Sequence, residues 1–235
     1  MKSIFTVFFY ISFVFTTYSQ TAEELLLQGA KLEESGNYKK AVKKYTEAIK
    51  LKPNYGDAYY NRAIAKYLLE EFKESISDYS EAIRIRGNDS MAIYSRGVVY
   101  FEIGKHELAL IDLNKSISYG HEIGSCYNYK AMVEMELGDS TKAIELYDLA
   151  IENDSLETLF YLNKATLLAD LRMYNESITL YSKVLKMDPN SIDSFYNRGI
   201  QYYKTGAQRK ACSDWKKAFK LGDTEVYEYI NQYCK

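Results

Sequence analysis

The chain has 235 residues, enough for one sizeable domain or a run of small repeated units. At 47% hydrophobic and 26% charged it can build a packed core, and global disorder is excluded. Thirty Lys and Arg nearly balance 32 Asp and Glu, so no basic field draws it to nucleic acid, and no nucleic-acid partner is expected.

Residues 1–19 differ from the rest. Lys2 supplies a charged start, Ile4 to Phe15 is an almost unbroken apolar run, and Thr17 and Ser19 offer small residues before a cut ahead of Gln20. The pattern is that of a secretory signal peptide. A retained anchor fits less well, because about twelve apolar residues fall short of the roughly 20 needed to span a bilayer. The mature protein is therefore expected to be exported, periplasmic or secreted, with no stable membrane insertion, in a compartment that permits disulfides.

From Ala22 a pattern recurs every 34 residues without insertion or deletion, giving six units at 22–55, 56–89, 90–123, 124–157, 158–191 and 192–225. Position eight of each unit is small: Gly29, Ala63, Gly97, Ala131, Ala165, Gly199. Position 20 is small as well: Ala41, Ser75, Ala109, Ala143, Ser177, Ala211. Position 24 is bulky: Tyr45, Tyr79, Leu113, Tyr147, Tyr181, Trp215. Such spacings place positions four, eight and eleven on one face of a first helix, and 20, 24 and 27 on one face of a second. Only small side chains let two helices cross closely. Gly36, Gly104, Gly138 and Gly206 sit where each first helix must end; Glu70 and Arg172 replace Gly there, so those two turns are expected to be shaped differently. Val226, Tyr229, Ile230 and Tyr233 recur at helical spacing, so 226–235 reads as a helix capping the sixth unit.

These columns resemble the tetratricopeptide repeat, or TPR. The resemblance covers 22–225 and implies an all-α, right-handed α-solenoid of six helix pairs plus a C-terminal capping helix. It also implies a non-catalytic scaffold holding a protein or peptide ligand in a concave groove lined by the first helices. An envelope or extracellular assembly is the expected setting. The alternative is a structural component that self-associates.

Positions of the first helix off the core stripe then become the candidate groove: Tyr60, Asn61, Tyr67, Tyr94, Phe101, Asn128, Tyr129, Met132, Asn163, Tyr196, Asn197 and Tyr203. Tyr and Met offer area and adaptability to a recognition surface, and Tyr adds a polar tip. Asn61, Asn163 and Asn197 share position six and resemble an interrupted asparagine ladder, able to bind the main chain of an extended peptide. Local hydrogen bonding within a Tyr-Asn-Arg signature is the plainer reading. A carboxylate clamp is not expected: its positions hold Leu26, Ala30, Asn61, Met91 and Ser95 in one register, and Asn128, Met132, Asn163, Asp193 and Asn197 in another, without the required cations.

No catalytic residue, cofactor or metal is expected. His106 and His121 occupy an aromatic column and a turn column, with no nucleophile or metal-ligand pattern beside them. Four Asn-x-Ser sequons, at Asn88, Asn114, Asn153 and Asn175, are read as chance matches, since unit boundaries are naturally rich in Asn, Asp and Ser. The ending resembles exported bacterial TPR proteins that combine Ala-Cys-x-Asp-Trp, here Ala211 to Trp215, with a final Tyr-Cys, here Tyr233-Cys234. Cys212 and Cys234 are then either a bridge pinning the end of the stack or two unpaired thiols; Cys126 is the odd one.

Overall fold

The computed structural model describes residues 20–234, and the signal-peptide reading of 1–19 lies outside them. Thirteen helices follow one another among the described residues. They are α1 (Ala22–Glu34), α2 (Tyr38–Leu51), α3 (Gly56–Tyr67), α4 (Phe72–Arg86), α5 (Ser90–Glu102), α6 (His106–Ser118), α7 (Ile123–Glu136), α8 (Ser140–Asn153), α9 (Thr158–Asp170), α10 (Tyr174–Met187), α11 (Ile192–Lys204), α12 (Gln208–Leu221) and α13 (Tyr227–Tyr233). Each of the first twelve packs on its neighbours in sequence, and α13 packs on α12. The chain is thus an α-solenoid of six helix pairs with a terminal cap, as the periodicity predicts. None of these helices is long and apolar enough to cross a membrane.

Side-chain size sets the packing. Position 24 is buried throughout, with Tyr45, Leu113 and Trp215 wholly enclosed and Tyr79, Tyr147 and Tyr181 nearly so. Burying an aromatic of this size is worth roughly 4–6 kcal/mol at ~25 cal/mol per Å². The opposing position eight must make room. A Cβ added to Gly199 would meet Trp215 Nε1 at 2.5 Å, and one on Gly29 would overlap the Tyr45 ring. Serine replaces alanine at position 20 where it has a partner: Ser75 donates to the Ala63 carbonyl and Ser177 to the Ala165 carbonyl, each at 2.8 Å.

The six turns inside the pairs share one shape, contrary to the expectation for Glu70 and Arg172. Both residues adopt φ of 61°, in the same left-handed region as Gly36, Gly104, Gly138 and Gly206. The same bond closes every turn, from the amide of the following residue back to the last turn of the first helix. It runs Glu71 to Lys66 and Met173 to Leu168 in the non-glycine turns, at 2.9 and 2.8 Å, and Asn37 to Leu32 at 2.8 Å in the first. Docking of two helices over-determines the turn, and the side chain absorbs a left-handed penalty of about 1 kcal/mol or more.

At the far end α13 lies over Trp215, with Tyr229 and Tyr233 at 5.4 and 6.0 Å from its ring and Val226 wholly buried. Cys212 and Cys234 are joined by a disulfide with Cα atoms 5.5 Å apart, and Cys126 is a buried free thiol.

Candidate functional site

First helices of neighbouring units also approach one another directly, α1 to α3, α5 to α7 and α9 to α11. Closer packing on that side makes it the inner wall, and the candidate residues are distributed along it.

Four of them converge in units two to four. Tyr67 from the end of α3, Tyr94 from α5 and Tyr129 from α7 surround a cavity of about 210 Å³, which Tyr79, Ser95, Val98 and Val99 also line. Tyr129 stands edge-on to Tyr94 at 6.1 Å and 71°, and to Phe101 at 5.7 Å and 69°. Edge-to-face pairing seats the edge of one ring on a single face of its partner and so fixes both rings. Desolvation pushes the phenols of Tyr67, Tyr94 and Tyr129 upward, so all three are neutral at physiological pH and can both donate and accept.

The other candidates are spent differently. Tyr60 is half-buried, stands edge-on to Tyr79 at 5.6 Å and carries the Arg86 guanidinium 5.2 Å above its ring. Asn128 is 2% exposed and accepts a 2.8 Å bond from the Asn163 amide, while its own amide points at Met132 Sδ, 3.7 Å away. That leaves Asn61 and Asn197, both half-buried, as the remaining members of the position-six row. Tyr196 and Tyr203 belong to the cap: Tyr196 meets Tyr229 at 5.6 Å, and Tyr203 meets Tyr233 at 4.5 Å. His106 begins α6 beside Phe101 and lies 3.2 Å from the Glu136 carboxylate, and His121 stands edge-on to Tyr94.

A second row of polar residues, not singled out by the sequence reading, welds the units together. Arg62 grips Asp78 of its own unit with two bonds of 2.7 Å and reaches Thr46 of the preceding unit at 3.0 Å. Arg96 does the same with Asp112 and Ser80, and Arg198 with Asp214 and Ser182. Lys130 and Lys164 take the arginine's place in units four and five. There the acid is replaced by Leu146 and Leu180, and the lysine turns to Asn114 or Asp148 of the preceding unit. The three acids are buried, so each needs its bidentate partner. The signal was present as a constant spacing of 16 between Arg and Asp in three units.

The geometry defines a repeat protein of stacked helix pairs with a tyrosine-lined inner wall. The chain contains tetratricopeptide repeats. A family model described as TPR repeat matches residues 31–69 and 165–206, and one described as Tetratricopeptide repeat matches 56–89. A TPR repeat-containing protein of Methanocaldococcus jannaschii is 29% identical over 97 residues, 41% of this chain and 17% of the relative. This chain therefore aligns with less than a fifth of that protein. Among solved structures, the Cut9-Hcn1 complex of the APC/C superposes with a TM-score of 0.72 at 16% identity, over 92% of this chain and 43% of the other. YrrB, described as a TPR protein with an unusual peptide-binding site, gives 0.58 at 23% identity, over 80% of this chain and 97% of its own. These likenesses establish the fold.

Proposed function

We propose that this protein is a non-catalytic scaffold that holds a peptide segment of a partner protein against its first helices, and that it works outside the cytoplasm. The observation that carries the reading is the convergence of Tyr67, Tyr94 and Tyr129 from three successive first helices around one open cavity. The helix pairs do not need these rings to close, because positions eight, 20 and 24 already do so. Tyrosines presenting faces and hydroxyls to a groove are the usual anchors of protein recognition. The peptide-binding description of YrrB supports the same use of the fold. The apolar start of the sequence and the Cys212–Cys234 bridge support an oxidising compartment.

Photo-crosslinking tests the groove. A benzophenone side chain placed at Ser95 is expected to yield partner adducts in cells, whereas one at Ile111, 61% exposed on α6, is not. Adducts from position 111 alone would move the binding surface to the second helices. Fractionation with N-terminal sequencing tests the location; a cytoplasmic protein still beginning at Met1 would overturn it.

A further inference from the structure

The chemistry of the Tyr67–Tyr94–Tyr129 cavity points to one kind of occupant. Elsewhere this protein repeatedly lays its own cations on its tyrosines: Arg62 over Tyr59 at 5.4 Å, Arg86 over Tyr60 at 5.2 Å, Arg96 over Tyr100 at 5.8 Å and Arg198 over Tyr202 at 5.6 Å. The three cavity tyrosines carry no such cation among the described residues. Tyr94 and Tyr129 stand edge-to-face with each other, Tyr129 does so with Phe101, and Tyr67 lies tilted against Phe72. Each such contact engages at most one face of a ring, and all three tyrosines still line the open cavity, where ring surface can receive a charge.

The nearby charge has the matching sign. Glu102 ends α5 exposed beside the cavity, and its field is among the causes that hold the Tyr67 and Tyr129 phenols protonated. Arg62 and Lys66 are committed to Asp78 and Arg96 to Asp112, and exposed Lys105, three residues beyond Glu102, makes no ion pair with it. They leave Glu102 without one among the described residues. Glu34, Glu136 and Asp170 occupy the same helix position in units one, four and five and are exposed, so acids recur along this rim of the wall, with Leu68 and Lys204 at that position in units two and six.

We infer that the cavity between α3, α5 and α7 receives the cationic head of an arginine or lysine from a basic partner segment, stacked on Tyr129 and neighbouring rings and paired with Glu102. This rests on the groove reading above and names its ligand. A guanidinium fits best, being planar, weakly hydrated and able to stack while donating to a carboxylate.

The probe is a set of seven-residue peptide libraries, randomised except for a central Arg, Lys, citrulline, Leu, Phe or Glu, applied to the full mature protein. Arg and Lys libraries are expected to be retained on the order of tenfold over citrulline, the neutral isostere of Arg. Tyr129→Leu keeps apolar volume but removes the ring face and is expected to abolish that preference, whereas Tyr129→Phe retains it. Glu102→Gln is expected to weaken retention several-fold and flatten its salt dependence. Circular dichroism and melting show that the variants fold. Equal retention of Arg and citrulline, or a preference for Leu, Phe or Glu, overturns the inference while leaving the groove in use. Retention of no library overturns it as well, and Ser95 crosslinking then decides separately whether the groove binds protein at all.

Discussion

Removing the Cys212–Cys234 bridge by Cys212→Ser with Cys234→Ser isolates what holds the end of the stack. The two cysteines are 22 residues apart. Loop-closure entropy for that separation amounts to about 3.4 kcal/mol at 25 °C, from −2.1 − 1.5R ln n cal/mol/K. What it secures is small. α13 has seven residues, and an isolated helix in water needs roughly 12–15 to be even marginal. Without the bridge, α13 depends on Val226, Tyr229 and Tyr233 packing against Trp215, and its opening bares the lone tryptophan. Because each unit touches only its neighbours, the loss stays local. Hydrogen exchange is expected to accelerate in α12 and α13 by up to about 300-fold, at ~1.4 kcal/mol per factor of ten. α1 to α8 should be unchanged, and Trp215 fluorescence should shift to the red. Unchanged exchange in α13, or uniform acceleration along the chain, would refute the reasoning.

Other perturbations test other parts of the frame. Arg96→Met leaves Asp112 buried without its bidentate partner and should cost about 3–5 kcal/mol in urea unfolding. The triple change Arg96→Lys, Asp112→Leu and Ser80→Asn, which copies the arrangement around Lys130, should recover most of that loss. Glu70→Gly and Arg172→Gly should each raise stability by about 1 kcal/mol, since both side chains sit at φ of 61°; a fall in melting temperature would show that their contacts outweigh backbone strain. Burial raises the Tyr147 phenol to about 12. A group with a raised folded pKa contributes fully below its unfolded value near 10 and loses that contribution as pH climbs through its folded value. Stability should therefore fall between pH 10 and 12, by up to roughly 3 kcal/mol from this group alone, and Tyr147→Phe should remove that share of the slope in alkaline titrations.

The architecture was legible because helix crossings discriminate by volume. Six small residues facing six bulky ones at a constant spacing admit few arrangements, and Gly199 opposite Trp215 is that constraint in atoms. The turns at Glu70 and Arg172 were misjudged for the complementary reason: a local penalty of about 1 kcal/mol says little when two docked helices dictate the backbone. The Arg–Asp row escaped notice because it falls outside the apolar columns, although its spacing repeats as faithfully. The groove was legible only as a set of positions. Tyr60, Tyr94, Asn128 and Tyr196 all hold position five, yet Tyr94 lines the cavity, Asn128 is sealed by Asn163, Tyr60 is capped by Arg86 and Tyr196 by α13. Position gives direction; what covers a side chain depends on the next element.

The cations at position seven also govern the order in which units can follow one another. Thr46, Ser80 and Ser182 are short hydroxyl sockets that accept an arginine from the unit behind them, whereas Asn114 and Asp148 accept a lysine. Each unit thus displays one half of a joint and expects the matching half from its successor. Swapping unit three for unit two preserves the joint at its front but misfits the one at its back, where Asn114 gives way to Ser80 before Lys130. Unit duplication, shuffling or grafting in this chain is therefore grammatical rather than free, and a chimera should be judged by its joints before its cores. At Lys216 the socket position itself holds a cation, and the helix that follows is α13 rather than another arginine-bearing partner.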